Sequence, residues 1–213
     1  MQPEHIKSLE LGYKGIFLDA RLKVDADFYY NKYNNFIAQI EMNVPATSII
    51  DSIPYYLNNR SQQSRYRIYT NSKSIVYNLG GSFGLSYLFG RYLIGGNASY
   101  AKLNRTDNGD GFEDGFNTPT WMTNFSFSGD HVIGNFSFNI TYKHQSSFYW
   151  QSFLVSGNVK PYGNIDAQAN YQFVKEHLNV KIGATNLLNR YYNSFMGGPS
   201  IGGLYYTTVT YRL

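Results

Sequence analysis

From Asn164 to Phe173 the chain alternates without a break. Ile165, Ala167, Ala169, Tyr171 and Phe173 are apolar, while Asn164, Asp166, Gln168, Asn170 and Gln172 are polar. Successive side chains of a β-strand point to opposite faces. The segment therefore reads as a strand with one apolar and one polar face, and a 3.6-residue helical repeat would scramble both. The pattern recurs in Asn135–Lys143, where Phe136, Phe138, Ile140 and Tyr142 share a face, and in His177–Thr185, where Leu178, Val180, Ile182 and Ala184 do. Leu22 to Asn31 and Tyr205 to Leu213 repeat it. Read this way throughout, the chain predicts about nine strands, at roughly 5–17, 20–41, 65–89, 92–103, 119–129, 132–145, 162–174, 177–187 and 204–213. No helical stripe of comparable length appears.

The connections alternate in length. Tight turns are expected near Leu18-Asp19, Gly90-Arg91, Gly129-Asp130-His131 and Lys175-Glu176, and long loops at 42–64, 104–118, 146–161 and 188–203. This is the rhythm of an up-and-down antiparallel sheet with one plain end and one elaborate end. Outer-membrane barrels have that form, with short periplasmic turns and longer extracellular loops. Odd-numbered strands would then run toward the periplasm. The apolar faces carry almost no charge, as a lipid-facing surface requires. Tyr and Phe gather near strand ends, as in Tyr87, Phe89 and Tyr92, which suits an interfacial aromatic girdle. A soluble β-sandwich or propeller also alternates, but its outward face would carry more charge. Here only 15% of residues are charged, against about 25% in ordinary soluble domains. The polar face is mostly Asn, Gln, Ser and Thr, which suits a hydrated lumen.

Composition removes other classes. Cysteine is absent, so disulfide frameworks and thiolate chemistry are excluded. The net charge of +4 comes from 18 basic residues dispersed among 14 acidic ones, so no nucleic-acid partner is expected. No window approaches the ~20 consecutive apolar residues of a spanning helix. Met1-Gln2-Pro3-Glu4-His5 has neither the basic nor the apolar region of a secretory signal. Single-chain bacterial barrels have even strand counts, and an open sheet edge cannot sit in lipid. Nine strands are therefore expected to be the carboxy-terminal part, 1–213, of a larger barrel whose upstream strands are absent.

Several motifs, in order along this strand scheme, resemble the carboxy-terminal barrel of TonB-dependent outer-membrane receptors. Pro3-Glu4 with Ser8, Glu10, Gly12, Tyr13 and Lys14 is similar to the family's PE…S-x-E-x-G-Y-K strand. Phe28-Tyr29-Tyr30-Asn31-Lys32-Tyr33-Asn34-Asn35-Phe36-Ile37 is similar to its FY-N-x-Y-x-x-F-I strand. Asn186-Leu187 followed by Tyr192 resembles its N-L-x-x-x-x-Y signature. Two features depart from it: Gly202-Gly203 stands where the family more often has Gly-Arg, and Leu213 where it often ends in Phe. With Tyr211 and Val209 in phase, that end still resembles a signal for the barrel-assembly machinery. The style is similar to that of Bacteroidetes members, some of which import glycans or peptides with a surface lipoprotein.

The resemblance implies a 22-strand barrel plugged by an amino-terminal domain, neither complete in this chain. It implies residence in the outer membrane of a Gram-negative bacterium, contact with outer-membrane lipid, and energy from the TonB complex through the missing amino-terminal parts. The implied function is receptor-mediated uptake of a scarce ligand such as a siderophore, porphyrin, glycan or peptide. The rival readings are a passive porin and an outer-membrane barrel enzyme.

No catalytic set can be assembled from the spacing of the four histidines, His5, His131, His144 and His177, so an enzyme is not expected. No cofactor is expected beyond a Ca²⁺ ion in loop 104–118, where Asp107, Asp110 and Asp114 would be the ligands. That loop does not meet the EF-hand pattern, and the alternative is a solvated acidic loop. Loop 146–161 offers Phe148, Tyr149 and Trp150 as ligand contacts, with Phe153 beside them. Tyr55 and Tyr56 are candidates of the same kind, as are Tyr191, Tyr192 and Phe195. The alternative for all of these rings is the outer girdle or loop-on-loop packing.

Overall fold

The alternating segments do form strands. The computed structural model describes residues 1–45, 63–106, 111–113, 115–152, 154–175 and 177–212. Fourteen strands occur there: β1 (His5–Phe17), β2 (Leu22–Asn34), β3 (Ile37–Pro45), β4 (Gln63–Asn71), β5 (Val76–Phe89), β6 (Tyr92–Arg105), β7 (Phe112–Glu113), β8 (Trp121–Ile133), β9 (Phe136–Gln145), β10 (Phe148–Trp150), β11 (Gly157–Val159), β12 (Tyr162–Phe173), β13 (Leu178–Thr185) and β14 (Leu204–Tyr211). No helix occurs among the described residues. Nine strands make one antiparallel sheet in the order β1-β2-β5-β6-β8-β9-β12-β13-β14. These are the nine expected ones, each beside its predecessor. Within that order β1 and β14 have one neighbour each.

Two expected strands are each broken in two. Residues 20–41 divide at Asn35, whose φ of 55° lies in the left-handed region that asparagine tolerates. Residues 65–89 divide between Asn71 and Val76. The Asn71 amide donates to the Asn35 carbonyl at 2.8 Å, and the Ser72 N–H donates to the Phe36 carbonyl at 2.8 Å, so the two breaks face each other. The turn expected at 129–131 is also displaced. β8 continues through a register shift between Gly129 and Ile133, and the reversal comes at Gly134, with φ 58°. Asp130 stabilises the shift by accepting from the Ser137 hydroxyl at 2.8 Å.

The chain divides into two compact units. One comprises Met1–Ser8, Asn31–Asn78 and Leu103–Phe116. Its centre is a three-stranded sheet, β4-β3-β7, with β3 and β4 paired from Ile37↔Asn71 to Pro45↔Gln63. Ile40, Met42, Tyr66 and Ile68 share one face of this hairpin by register. Glu41 and Arg67 share the other, where Arg67 also meets Glu113 at 3.0 Å.

The second unit comprises Leu9–Tyr30, Leu79–Lys102 and Asn117–Leu213. Its register aligns the apolar residues of successive strands into rows. Ile94, Phe127, Ile140, Ala167, Ala184 and Tyr205 form one row. Tyr92, Gly129, Phe138, Ala169, Ile182 and Thr207 form the next. On the opposite face Asn97, Asn124, Lys143 and Asn164 align, as do Gly95, Ser126, Thr141 and Asp166. The apolar rows are not covered by protein: Phe125, Ile140, Ile182 and Val209 are 53%, 44%, 56% and 62% exposed. Across both units the buried apolar side chains, among the described residues, are only Ala38, Val76, Val159 and Ala184. A water-soluble sheet would bury its apolar face against a second layer. This one presents it outward, as a wall against lipid does.

At the short-turn end, aromatic rings run across four strands. Tyr87, Phe89, Tyr92, Phe127 and Phe138 follow one another with centroid separations of 6.2, 5.3, 5.8 and 5.2 Å. Such a belt suits an interface, because a tyrosine has an apolar body and a wet tip.

Candidate functional site

The polar face and the long loops meet at the upper ends of β9, β12 and β13. On the polar face Lys143 Nζ lies 2.6 Å from Asp166 Oδ2, joining β9 to β12. The second oxygen, Asp166 Oδ1, accepts the Asn186 N–H at 2.9 Å. One carboxylate thus neutralises a lysine and anchors the start of the last long loop.

Asn186 organises that loop. Its φ is 50°, its side-chain amide donates to the Arg190 carbonyl at 2.9 Å, and its Oδ1 accepts the Arg190 N–H at 3.2 Å. Asn189, with the same φ, accepts the Gly203 N–H at 2.7 Å. The Tyr205 hydroxyl donates to the Leu187 carbonyl at 3.0 Å. A backbone bridge between Tyr192 and Ile201 closes the loop further out. These bonds satisfy backbone groups that leave the ladder between β13 and β14.

The sequence predicts a long loop at 146–161, and within it lies the β10–β11 hairpin, with Phe148 opposite Val159, Tyr149 opposite Asn158 and Trp150 opposite Gly157. Phe148 and Trp150 share one face. Trp150 packs on Phe195 of the last loop at 5.3 Å, and Phe148 meets Trp150 edge-on at 6.5 Å. Met196 covers Gly157 so closely that a Cβ there would lie 2.5 Å from its methyl. Tyr149 points the other way and is 55% exposed. Asn117 braces the hairpin, donating to the Gln151 carbonyl at 2.8 Å and accepting its N–H at 2.7 Å.

The predicted contacts therefore separate. Phe148 and Trp150 join the two long loops, and Tyr149 is presented to the surroundings. Tyr55 and Tyr56 lie outside the described residues, and so do Asp107, Asp110 and Asp114. Among the described residues no group of three or more His, Asp or Glu side chains is arranged around a common point.

A second aromatic pair is brought together by the fold. Tyr162, the first residue of β12, stacks on Tyr192 at 4.0 Å between centroids and 24° between planes. The stack lines two concavities. One, of about 370 Å³, lies along the polar face and includes Lys143, Gln145, Asn164 and Asp166. The other, of about 510 Å³, lies between the loops and includes Asn158, Lys160, Tyr191, Asn193 and Phe195. Asn164 donates to the Tyr192 hydroxyl at 3.4 Å, while its Oδ1 and the Gln145 Nε2 are buried without a hydrogen-bond partner. The sequence reading includes Tyr192 but misses Tyr162, Gln145, Asn164, Lys143 and Asp166. The available signal is their phase: Gln145, Lys143, Asn164 and Asp166 all fall on polar positions of strands that converge on the same loop.

A family model described as "TonB dependent receptor-like, beta-barrel" matches residues 1–187. Solved structures share the fold. The pyoverdine outer-membrane receptor FpvA of Pseudomonas aeruginosa, bound to pyoverdine, aligns with a TM-score of 0.67 at 15% identity, covering 98% of this chain and 30% of the receptor. The FrpB iron transporter of Neisseria meningitidis aligns at 0.64 and 16%, covering 98% and 31%. The copper transporter OprC aligns at 0.68 and 16%, covering 98% and 31%. This chain thus spans under a third of the length of each. No curated protein matches the chain by sequence.

Proposed function

Because the chain belongs to the TonB-dependent receptor β-barrel family of the Gram-negative outer membrane, we propose that it is the carboxy-terminal wall of a receptor that imports a scarce ligand. The reading rests chiefly on one observation: a sheet whose exposed apolar rows and polar opposite rows stay in register across β6, β8, β9 and β12. Such a sheet separates lipid from a hydrated lumen, and its two unpaired edges call for further strands to close it. The long loops face outward from the cell, and Tyr149 and the stacked tyrosines meet the ligand there. A siderophore, porphyrin, glycan or peptide is the class of cargo we propose; among the proteins of like fold, FpvA is a pyoverdine receptor, FrpB an iron transporter and OprC a copper transporter.

Energy reaches the receptor from the TonB complex through parts outside this chain. The barrel-assembly machinery inserts it, and a surface lipoprotein covers the loops during capture. Asp107, Asp110 and Asp114 are the proposed ligands of a Ca²⁺ ion in loop 104–118. The test is uptake of candidate ligands by cells that carry or lack the gene, with and without a protonophore. Energised import that disappears in both the deletion and the protonophore arms supports the reading. Equal uptake with the protonophore points instead to a passive pore.

A further inference from the structure

The two concavities flanking the Tyr162–Tyr192 stack differ from a site for a charged ligand. In the inner one, among the described residues, the one carboxylate, Asp166, and the one lysine, Lys143, already neutralise each other at 2.6 Å. The remaining titratable lining groups, besides the tyrosines, are His144 in the inner space and Lys160 in the outer one. Several cations would be needed to desolvate a polyanionic chelate, and free carboxylates to hold a cationic peptide, because an unpaired buried charge is costly. Among the described residues neither set lines these spaces.

Amides and aromatic rings are what the spaces do supply. Gln145, Asn124 and Asn164 line the inner one, and Asn158 and Asn193 the outer. An amide both donates and accepts, which matches a hydroxyl that does the same. Tyrosine offers an apolar face for C–H groups together with a polar tip. The same stacked pair borders both spaces, and each lies in the size range of small-ligand pockets. On the premise that the protein is an importer, we infer that these paired cavities bind an uncharged, hydroxyl-rich oligomer, the chemistry of a neutral oligosaccharide, with sugar rings on either side of the Tyr162–Tyr192 stack. The buried Asn164 Oδ1 and Gln145 Nε2 turn toward ligand hydroxyls as the chain enters.

The test is equilibrium binding to the intact receptor in detergent, using three probes. These are neutral α- and β-glucan tetrasaccharides, a uronic-acid tetrasaccharide and a ferric tricatecholate, which carries three negative charges. The neutral tetrasaccharides should bind at least about tenfold more tightly than the others. Tyr192→Ala and Tyr162→Ala should each weaken that binding about tenfold or more. Tyr192→Phe and Tyr162→Phe keep the stack and should lose far less, which separates a binding loss from misfolding. Asp166→Asn retains an acceptor for the Asn186 N–H and leaves Lys143 without its counter-charge. It should move preference toward the uronic-acid probe by about tenfold. Tighter binding of the ferric or anionic probe to the unaltered protein overturns the inference, as does failure of any neutral probe to bind or indifference to the tyrosine variants. Energised uptake is measured separately, so a receptor that imports a ferric chelate would refute the sugar assignment and leave the importer reading intact.

Discussion

The division of β12 into a lipid face and a lumen face can be tested by placing one charge on each. β12 spans Tyr162–Phe173, so at about 3.4 Å per residue it is about 37 Å long. A tilt of about 40° projects this to about 28 Å along the membrane normal, close to the ~25 Å apolar band of such barrels. The midpoint falls between Ala167 and Gln168. Ala167 lies in the apolar row between Ile140 and Ala184, and Gln168 faces the other way and accepts the Tyr206 hydroxyl at 3.3 Å. Ala167→Arg therefore puts a guanidinium at mid-bilayer, at a cost of about 2–4 kcal/mol. That lowers the folding equilibrium roughly 30- to 700-fold. Gln168→Arg loses one hydrogen bond in water, about 1 kcal/mol. The assay is reversible denaturant unfolding of the intact receptor in lipid vesicles, followed by tryptophan fluorescence. Equal losses from the two variants, or a larger loss from Gln168→Arg, would refute the assignment of faces and the membrane wall built on it.

Other perturbations address the loop end. Asn186→Ala removes both hydrogen bonds to Arg190 from a residue at φ 50°, and should cost about 1–3 kcal/mol, read as faster proteolytic cleavage within 188–203. Gly183→Leu would drive a Cβ to 2.5 Å from the Tyr206 ring. It should destabilise by about 1–3 kcal/mol, with Tyr206→Ala in the same chain restoring part of the loss in the same unfolding assay. Trp150→Ala should raise amide exchange in both 148–159 and the segment around Phe195, because the ring joins the two loops. Tyr149→Ala should leave that exchange unchanged and lower ligand affinity.

The nine wall strands and their order were legible because lipid on one side and water on the other enforce an uninterrupted period of two. Where that enforcement ends, so does legibility. Around Asn35 the alternation lapses, with Asn34-Asn35 and Phe36-Ile37 as like neighbours, but apolar and polar residues resume on either side, and the left-handed backbone at Asn35 marks the break itself. β10 and β11 have three residues each, too few for a period to show. The shift in β8 hides because residues 129–133 remain a plausible turn in composition. At the site, Phe148, Tyr149 and Trp150 stood out as adjacent rings, but their opposite orientations depend on hairpin pairing. Tyr162 and Tyr192 are 30 residues apart, and the closure of the last loop, by Asn186, Asn189 and the Tyr192–Ile201 bridge, brings them into contact.

The alignment of rows across β9, β12 and β13 also bears on how the wall is proofread during assembly. A slip of β12 by one residue would turn every one of its side chains to the opposite face. Asp166 would then face hydrocarbon with no lysine beside it, and Ile165, Ala167 and Ala169 would face water. The slip would also misalign β12 against β13, and through it β14, because the register is continuous across these pairs. A mispaired intermediate would thus place its first charged residue against the bilayer, at a cost of a few kcal/mol at mid-depth, about 2–4 for a basic residue. Fidelity of assembly resides in the few polar-face charges, Lys143, Asp166 and Lys181, as much as in the many apolar residues that lipid retains.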